Sequence, residues 1–371
     1  MTDRPDAGGR FPEDDWAVLS VPVGEPPDDV VTEEDEPPPP PAVVGSAGPP
    51  GGRVFSIEDR PAPSLYLLGW LLSGAGLAML AVALLAGRPE LGPSLASGGI
   101  IVLGVGLALA AGYQLVARGA RPVEGYRGPS PLILFGLVLC VSTVASIAAV
   151  LVGRGAREPL GFILNLSVIG LSYLGVVWLF VVRGGALRWR EMGWPGWRAE
   201  RPFGLARFAG DIGYALVLIL PTTLVALLAA GLLARVLDTV PTQVLPDTGA
   251  GGPSMLVILG AVVVAPLGEE LFFRGFALSA WWRDLGARTA IIRSTIFFAL
   301  VHVANIEAAS FGDGLAQALV QFAAILPLGL VIGLLFVQRG MVAALAAHMS
   351  YNGLLLALYY GLRSALPDAP G

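Results

Sequence analysis

The residues whose types and spacing could do chemistry gather in the last third of the chain. Glu269, Glu270 and Arg274 lie in the stretch 265–275, Ala-Pro-Leu-Gly-Glu-Glu-Leu-Phe-Phe-Arg-Gly. Phe298 and His302 follow, four apart, and then His348 and Asn352, again four apart. These two histidines are the only ones in the protein. On a helix, residues i and i+4 share a face. Glu270 is therefore predicted to pair with Arg274, and His348 to face the same way as Asn352. Glu269 is turned by about 100° from Glu270 and is left without the arginine. One carboxylate, two imidazoles and a carboxamide are what water-mediated amide hydrolysis uses: a base deprotonates water, and donors hold the developing oxyanion. Each member has a plainer role when taken alone. A Glu–Arg pair can fix helix packing, and a histidine or asparagine inside a bundle can join two helices by a hydrogen bond. The combination is harder to explain as packing.

The elements that carry these residues are apolar. The chain has 371 residues, of which 55% are hydrophobic and only 14% charged, with a mean hydropathy of +0.71. A soluble domain has about 25% charged residues. The excess comes as long apolar runs. A bilayer core of ~30 Å takes about 20 residues of helix. On that measure nine spans are predicted, near 64–87, 98–117, 131–152, 159–183, 211–235, 254–280, 290–308, 315–337 and 341–362. The expected fold is all-α, a polytopic transmembrane bundle, and its abundant glycine and alanine let helices approach closely. A charged side chain within a span costs about 2.5–3.5 kcal/mol on insertion scales, so Glu269, Glu270 and Arg274 ask for a reason.

The three motifs, Glu269-Glu270-x-x-x-Arg274, Phe298-x-x-x-His302 and His348-x-x-x-Asn352, resemble the signature of the CPBP family of intramembrane proteases. That family groups CAAX proteases with bacteriocin-processing enzymes and includes the type II CAAX prenyl endopeptidases (the Abi domain). The resemblance covers about residues 205–362. It implies a glutamate-type intramembrane endopeptidase with Glu269 as the base that activates water and His302 as its partner. His348 and Asn352 become the oxyanion donors, and Glu270, Arg274 and Phe298 support the site. It implies a membrane-embedded or lipidated peptide substrate, with no role for nucleic acid. No cofactor is favoured. A catalytic zinc ion held by Glu269, His302 and His348 is the alternative, since two histidines and a carboxylate satisfy such a site. The His-Glu-x-x-His helix that sets two ligands one turn apart is missing.

The rest of the sequence narrows the function further. Every one of the 23 basic residues is arginine, which excludes a Ser–Lys dyad or a Schiff-base lysine and points to a GC-rich bacterial genome. The single cysteine, Cys140, falls in an apolar run and reads as a small buried hydrophobe. Residues 1–63 are acidic and proline-rich and read as a disordered tail, with Phe11, Trp16, Val18 and Leu19 as a short docking motif at most. The predicted layout is that tail, N-terminal membrane helices over 64–204, the protease-like domain over 205–362, and a short C-terminal tail over 363–371. Assigned to alternate sides, the loop arginines split fifteen against five, which places the N-terminus in the cytoplasm. The segment from Leu187 to Trp197, with Trp189 and Trp194, reads as interfacial. The competing readings are a non-catalytic scaffold or immunity-type protein and a transporter. A transporter would spread ionisable groups over several spans or show two repeated halves, and the sequence shows neither.

Overall fold

The computed structural model describes residues 60–85, 92–119, 121, 125–151, 158–194, 204–239, 254–303 and 310–365. The acidic tail, its docking motif and Trp197 lie outside the described residues. Nine long helices run in chain order among the described residues: α1 (Pro63–Leu85), α2 (Gly92–Arg118), α3 (Pro131–Leu151), α4 (Pro159–Val182), α5 (Leu205–Val236), α6 (Met255–Leu285), α7 (Ala287–Val303), α8 (Phe311–Arg339) and α9 (Met341–Ala365). The described residues contain no strand. The all-α membrane bundle expected from the sequence is what forms.

Seven of these helices are long and apolar enough to cross a membrane. The other two are α3, of 21 residues, and α7, described over 17 residues. At 1.5 Å per residue α3 measures about 31 Å, enough for the ~30 Å of a bilayer core, and the described part of α7 about 25 Å. Each of the nine predicted spans thus coincides with a helix, seven of them counted as long and apolar enough to cross a membrane among the described residues. The seventh expected span ran to 308, whereas α7 is described only to Val303.

The helices carrying the candidate residues occupy the centre. In their most apolar windows α6 and α8 are 44% buried, against 11% for α1 and α2, so the first hairpin is peripheral. α8 packs on α5, α7 and α9, while α6 packs on α4, α7 and α9. Outward-facing leucines such as Leu171, Leu220 and Leu300 are exposed, as lipid-facing positions must be. The core beneath the site is aromatic. Tyr173, Phe272, Phe273, Phe276 and Phe298 are buried, and their rings meet in tilted and edge-to-face pairs at 4.9–5.4 Å.

α6 is not a uniform α-helix. It widens to π-helix at Leu259–Val264 and again at Leu271–Leu278, on either side of the α-helical turn Ala265–Glu270. Such widened stretches occur most often at functional sites. The turn between them lies against α4 through two glycines. A Cβ at Gly268 would come within 2.8 Å of the Gly170 Cα, so only glycine permits this approach.

Candidate active site

Glu269 is the fifteenth of the 31 residues of α6, and α6 turns back into α7 at Gly286, whose φ of 77° suits glycine. Counting from Gly286, Glu269 lies 17 residues up one arm and His302 lies 16 up the other. Each arm is about 24–26 Å at 1.5 Å per residue, so the hairpin sets the two side chains at one level. His302 is in the last described turn of α7, level with the middle of α6. α9 enters from Gly340 (φ 91°) and brings His348 to the same place two turns later.

Glu269 faces both imidazoles. Its Oε2 lies 3.7 Å from His302 Nε2 and 3.7 Å from His348 Nε2. The opposite nitrogen of each ring is tethered. His302 Nδ1 donates to the Phe298 carbonyl oxygen at 2.8 Å. His348 Nδ1 lies 2.8 Å from Glu270 Oε1, an ion-paired carboxylate to which it donates. The side chains of Glu269 and His302 keep 22% and 18% exposure, while His348 keeps 2% and Glu270 and Arg274 none. The site therefore has a partly open edge at Glu269–His302 and a sealed back at Glu270–Arg274.

Glu270 does more than the predicted pairing. Its Oε1 accepts from Arg274 Nη1 at 3.1 Å and also from His348, so Arg274, Glu270 and His348 form one chain of charge-assisted bonds. Arg274 is fixed from two further directions. Its Nη2 donates to the Gly329 carbonyl at 3.3 Å, and its guanidinium lies 4.0 Å from the centre of the Phe298 ring. Phe298 in turn touches both imidazoles, with ring centres 4.4 Å from His302 and 5.6 Å from His348. Asn352 is the residue the structure does not draw in fully. It lies one turn beyond His348 on α9, but its Nδ2 donates at 2.8 Å to the carbonyl of Ala261, in the first π-helical stretch.

Tyr173 of α4 is a neighbour that sequence reasoning missed. It is buried, stacks on Phe272, and reaches the Gly268 backbone beside Glu269. No spacing rule links it to the motifs, because it belongs to a different helix about 95 residues earlier.

Residues 251–354 match the family described as type II CAAX prenyl endopeptidase, Rce1-like. Over these residues the chain is similar to that family. The matched stretch spans α6, α7, α8 and the first half of α9, and ends two residues after Asn352. The match is to a family of CAAX-type endopeptidases, and it lies in a chain with seven helices long and apolar enough to cross a membrane among the described residues. The match covers just over a quarter of the protein and is narrower than the 205–362 expected, leaving α5 outside. No curated protein and no solved structure matches the chain.

Glu269, His302 and His348 offer the ligand types that a metal needs. Two imidazoles with their Nδ1 atoms tethered and their Nε2 atoms turned to a carboxylate are the donor types of a catalytic zinc site. Among the described residues, however, no three His, Cys, Asp or Glu side chains are placed as a ligand group. Ligand atoms on a tetrahedral ion with bonds of ~2.0–2.1 Å lie about 3.3 Å apart, so the two 3.7 Å separations would have to close by a few tenths of an ångström.

Proposed function

We propose that the protein hydrolyses a peptide bond at or within the bilayer, with Glu269 activating water. The observation that carries this reading is the pair of tethered histidines on either side of Glu269 Oε2. The tethers give the two rings opposite abilities. With its Nδ1 hydrogen bound to a backbone carbonyl, neutral His302 offers a lone pair at Nε2 and can accept a hydrogen bond from water. His348 holds its Nδ1 hydrogen toward the Glu270 carboxylate, and its protonated form carries a second N–H at Nε2. Such an imidazolium can donate to a developing oxyanion.

In the proposed reaction Glu269 takes a proton from a water held between it and His302. The resulting hydroxide attacks the scissile carbonyl carbon. The oxyanion is held by His348 Nε2–H and by the Asn352 amide hydrogen that Ala261 leaves free. Glu269 then gives its proton to the leaving amine, so the carboxylate is restored and one water is consumed. No step passes through a metal. The substrate is a membrane-embedded or lipidated peptide, and the arginine distribution sets the N-terminus in the cytoplasm.

The test is cleavage by the purified full-length protein in lipid vesicles, with termini mapped by mass spectrometry, beside Glu269→Gln and after dialysis against a chelator. Wild-type cleavage that survives chelation and vanishes in Glu269→Gln supports the reading. Activity lost on chelation and restored by zinc would replace it with a metal site at Glu269, His302 and His348. A wild type that cleaves nothing across a broad set of membrane peptides would favour a non-catalytic scaffold.

A further inference from the structure

A second cavity, of about 480 Å³, opens on the opposite side of α7 from His302. Arg293, Ile296 and Leu300 line it, at i, i+3 and i+7. That is one helix face, whereas Phe298 and His302 occupy the other. The cavity has two chemically different parts. One wall is apolar and open to lipid: Leu132, Ile296 and Leu300 are 59%, 43% and 55% exposed. The other end carries Arg118, Arg293 and Asp284.

The charges at that end do not cancel. Asp284 is already satisfied, since its Oδ1 accepts from the Tyr126 backbone N–H at 2.9 Å and its Oδ2 faces Arg121 at 3.5 Å. Arg118 Nη1 donates to the neutral Gly128 carbonyl at 2.8 Å. Arg293 makes no hydrogen bond or ion pair with a described residue. The cavity therefore presents two guanidinium groups beside a hydrocarbon wall, with its only carboxylate spoken for. Guanidinium forks match phosphate geometry, and basic pockets between membrane helices are where anionic lipid headgroups bind.

We propose that this cavity holds one anionic glycerophospholipid, with its phosphodiester between Arg118 and Arg293 and an acyl chain along Leu132, Ile296 and Leu300. A zwitterionic lipid fits less well, because no free carboxylate remains for its ammonium. A free phosphate ion would leave the apolar wall unused.

The experiment extracts the full-length protein from nanodiscs of phosphatidylcholine doped with phosphatidylglycerol and counts retained lipids by native mass spectrometry. One phosphatidylglycerol should stay bound, with phosphatidylcholine a poor competitor and excess inorganic phosphate unable to displace it. Arg293→Ala should weaken retention by about fivefold, the worth of one arginine near an anionic headgroup. Leu132→Trp fills the apolar wall, leaves both arginines in place, and should weaken it as well. Equal retention of the two lipids, unchanged retention in both variants, or displacement by phosphate alone would overturn the proposal.

Discussion

His348 Nδ1 and Glu270 Oε1 lie 2.8 Å apart, and the same carboxylate oxygen is ion-paired to Arg274. The glutamate that looked purely structural therefore orients a ring of the site. Glu270→Gln should have two effects. An amide can turn its NH2 toward Nδ1 and select the other tautomer of His348, which in a comparable carboxylate–imidazole pair costs about 10⁴-fold in rate. It also leaves Arg274 buried without its counter-charge, a loss of about 3–5 kcal/mol. The thermal unfolding midpoint in detergent and the cleavage rate should both fall. Adding Arg274→Gln should recover part of the stability, because no charge is then left alone. It should recover no activity, because His348 still lacks its carboxylate. A double variant that regains activity would show that Glu270 acts only through Arg274.

Glu269→Gln should behave differently. Glu269 is partly exposed and its contacts with the imidazoles are at 3.7 Å, beyond hydrogen-bond reach. The substitution keeps the shape and removes the base. Cleavage should be lost with the unfolding midpoint nearly unchanged. If Glu269→Gln were the unstable variant, and Glu270→Gln stable yet inactive, the roles of the two glutamates would be reversed.

Phe298→Leu tests the ring between the arginine and the histidines. The guanidinium lies 4.0 Å from its centre, and a desolvated cation–π contact is worth about 2 kcal/mol. Losing the ring should lower the midpoint by less than Glu270→Gln does. Activity should fall moderately, since the Phe298 backbone carbonyl that tethers His302 remains. An unchanged midpoint would mean that the hydrogen bonds to Glu270 and Gly329 alone hold Arg274.

These relationships were not all equally readable beforehand. Glu270–Arg274 and Phe298–His302 are one helical turn apart, so period alone places them together. That His302 and His348 meet Glu269 depends on the Gly286 and Gly340 turns and on three helices packing at matched depth. The family resemblance supplied this, and the spacing could not. The Ala261 carbonyl under Asn352, the Glu270–His348 bond and the Tyr173 neighbour are contacts between helices distant in sequence, for which local pattern carries no signal. The π-helical stretches flanking Glu269 were invisible for a different reason. Widening a turn changes the residues per turn without changing the apolar composition that marks a span.

The 17 described residues of α7 make topology the sharpest remaining prediction. Seven full-length spans give an odd number of crossings, and so do nine. Both counts put residue 60 and residue 365 on opposite sides, with the arginine split placing the N-terminus in the cytoplasm. If only one of α3 and α7 crossed, the count would be eight and both ends would share a side. The level of His302 argues that α7 crosses most of the bilayer, since it runs back along α6 from Gly286 to the depth of Glu269, about 24 Å. Reporter fusions after residues 60 and 365 should therefore report the cytoplasm and the exterior respectively. A fusion at Gly286 should report the cytoplasm, the side to which Arg283, Arg288 and Arg293 were assigned. An exterior signal at Gly286 with a cytoplasmic signal at residue 60 would require an odd number of crossings up to the end of α6, which means α3 does not span.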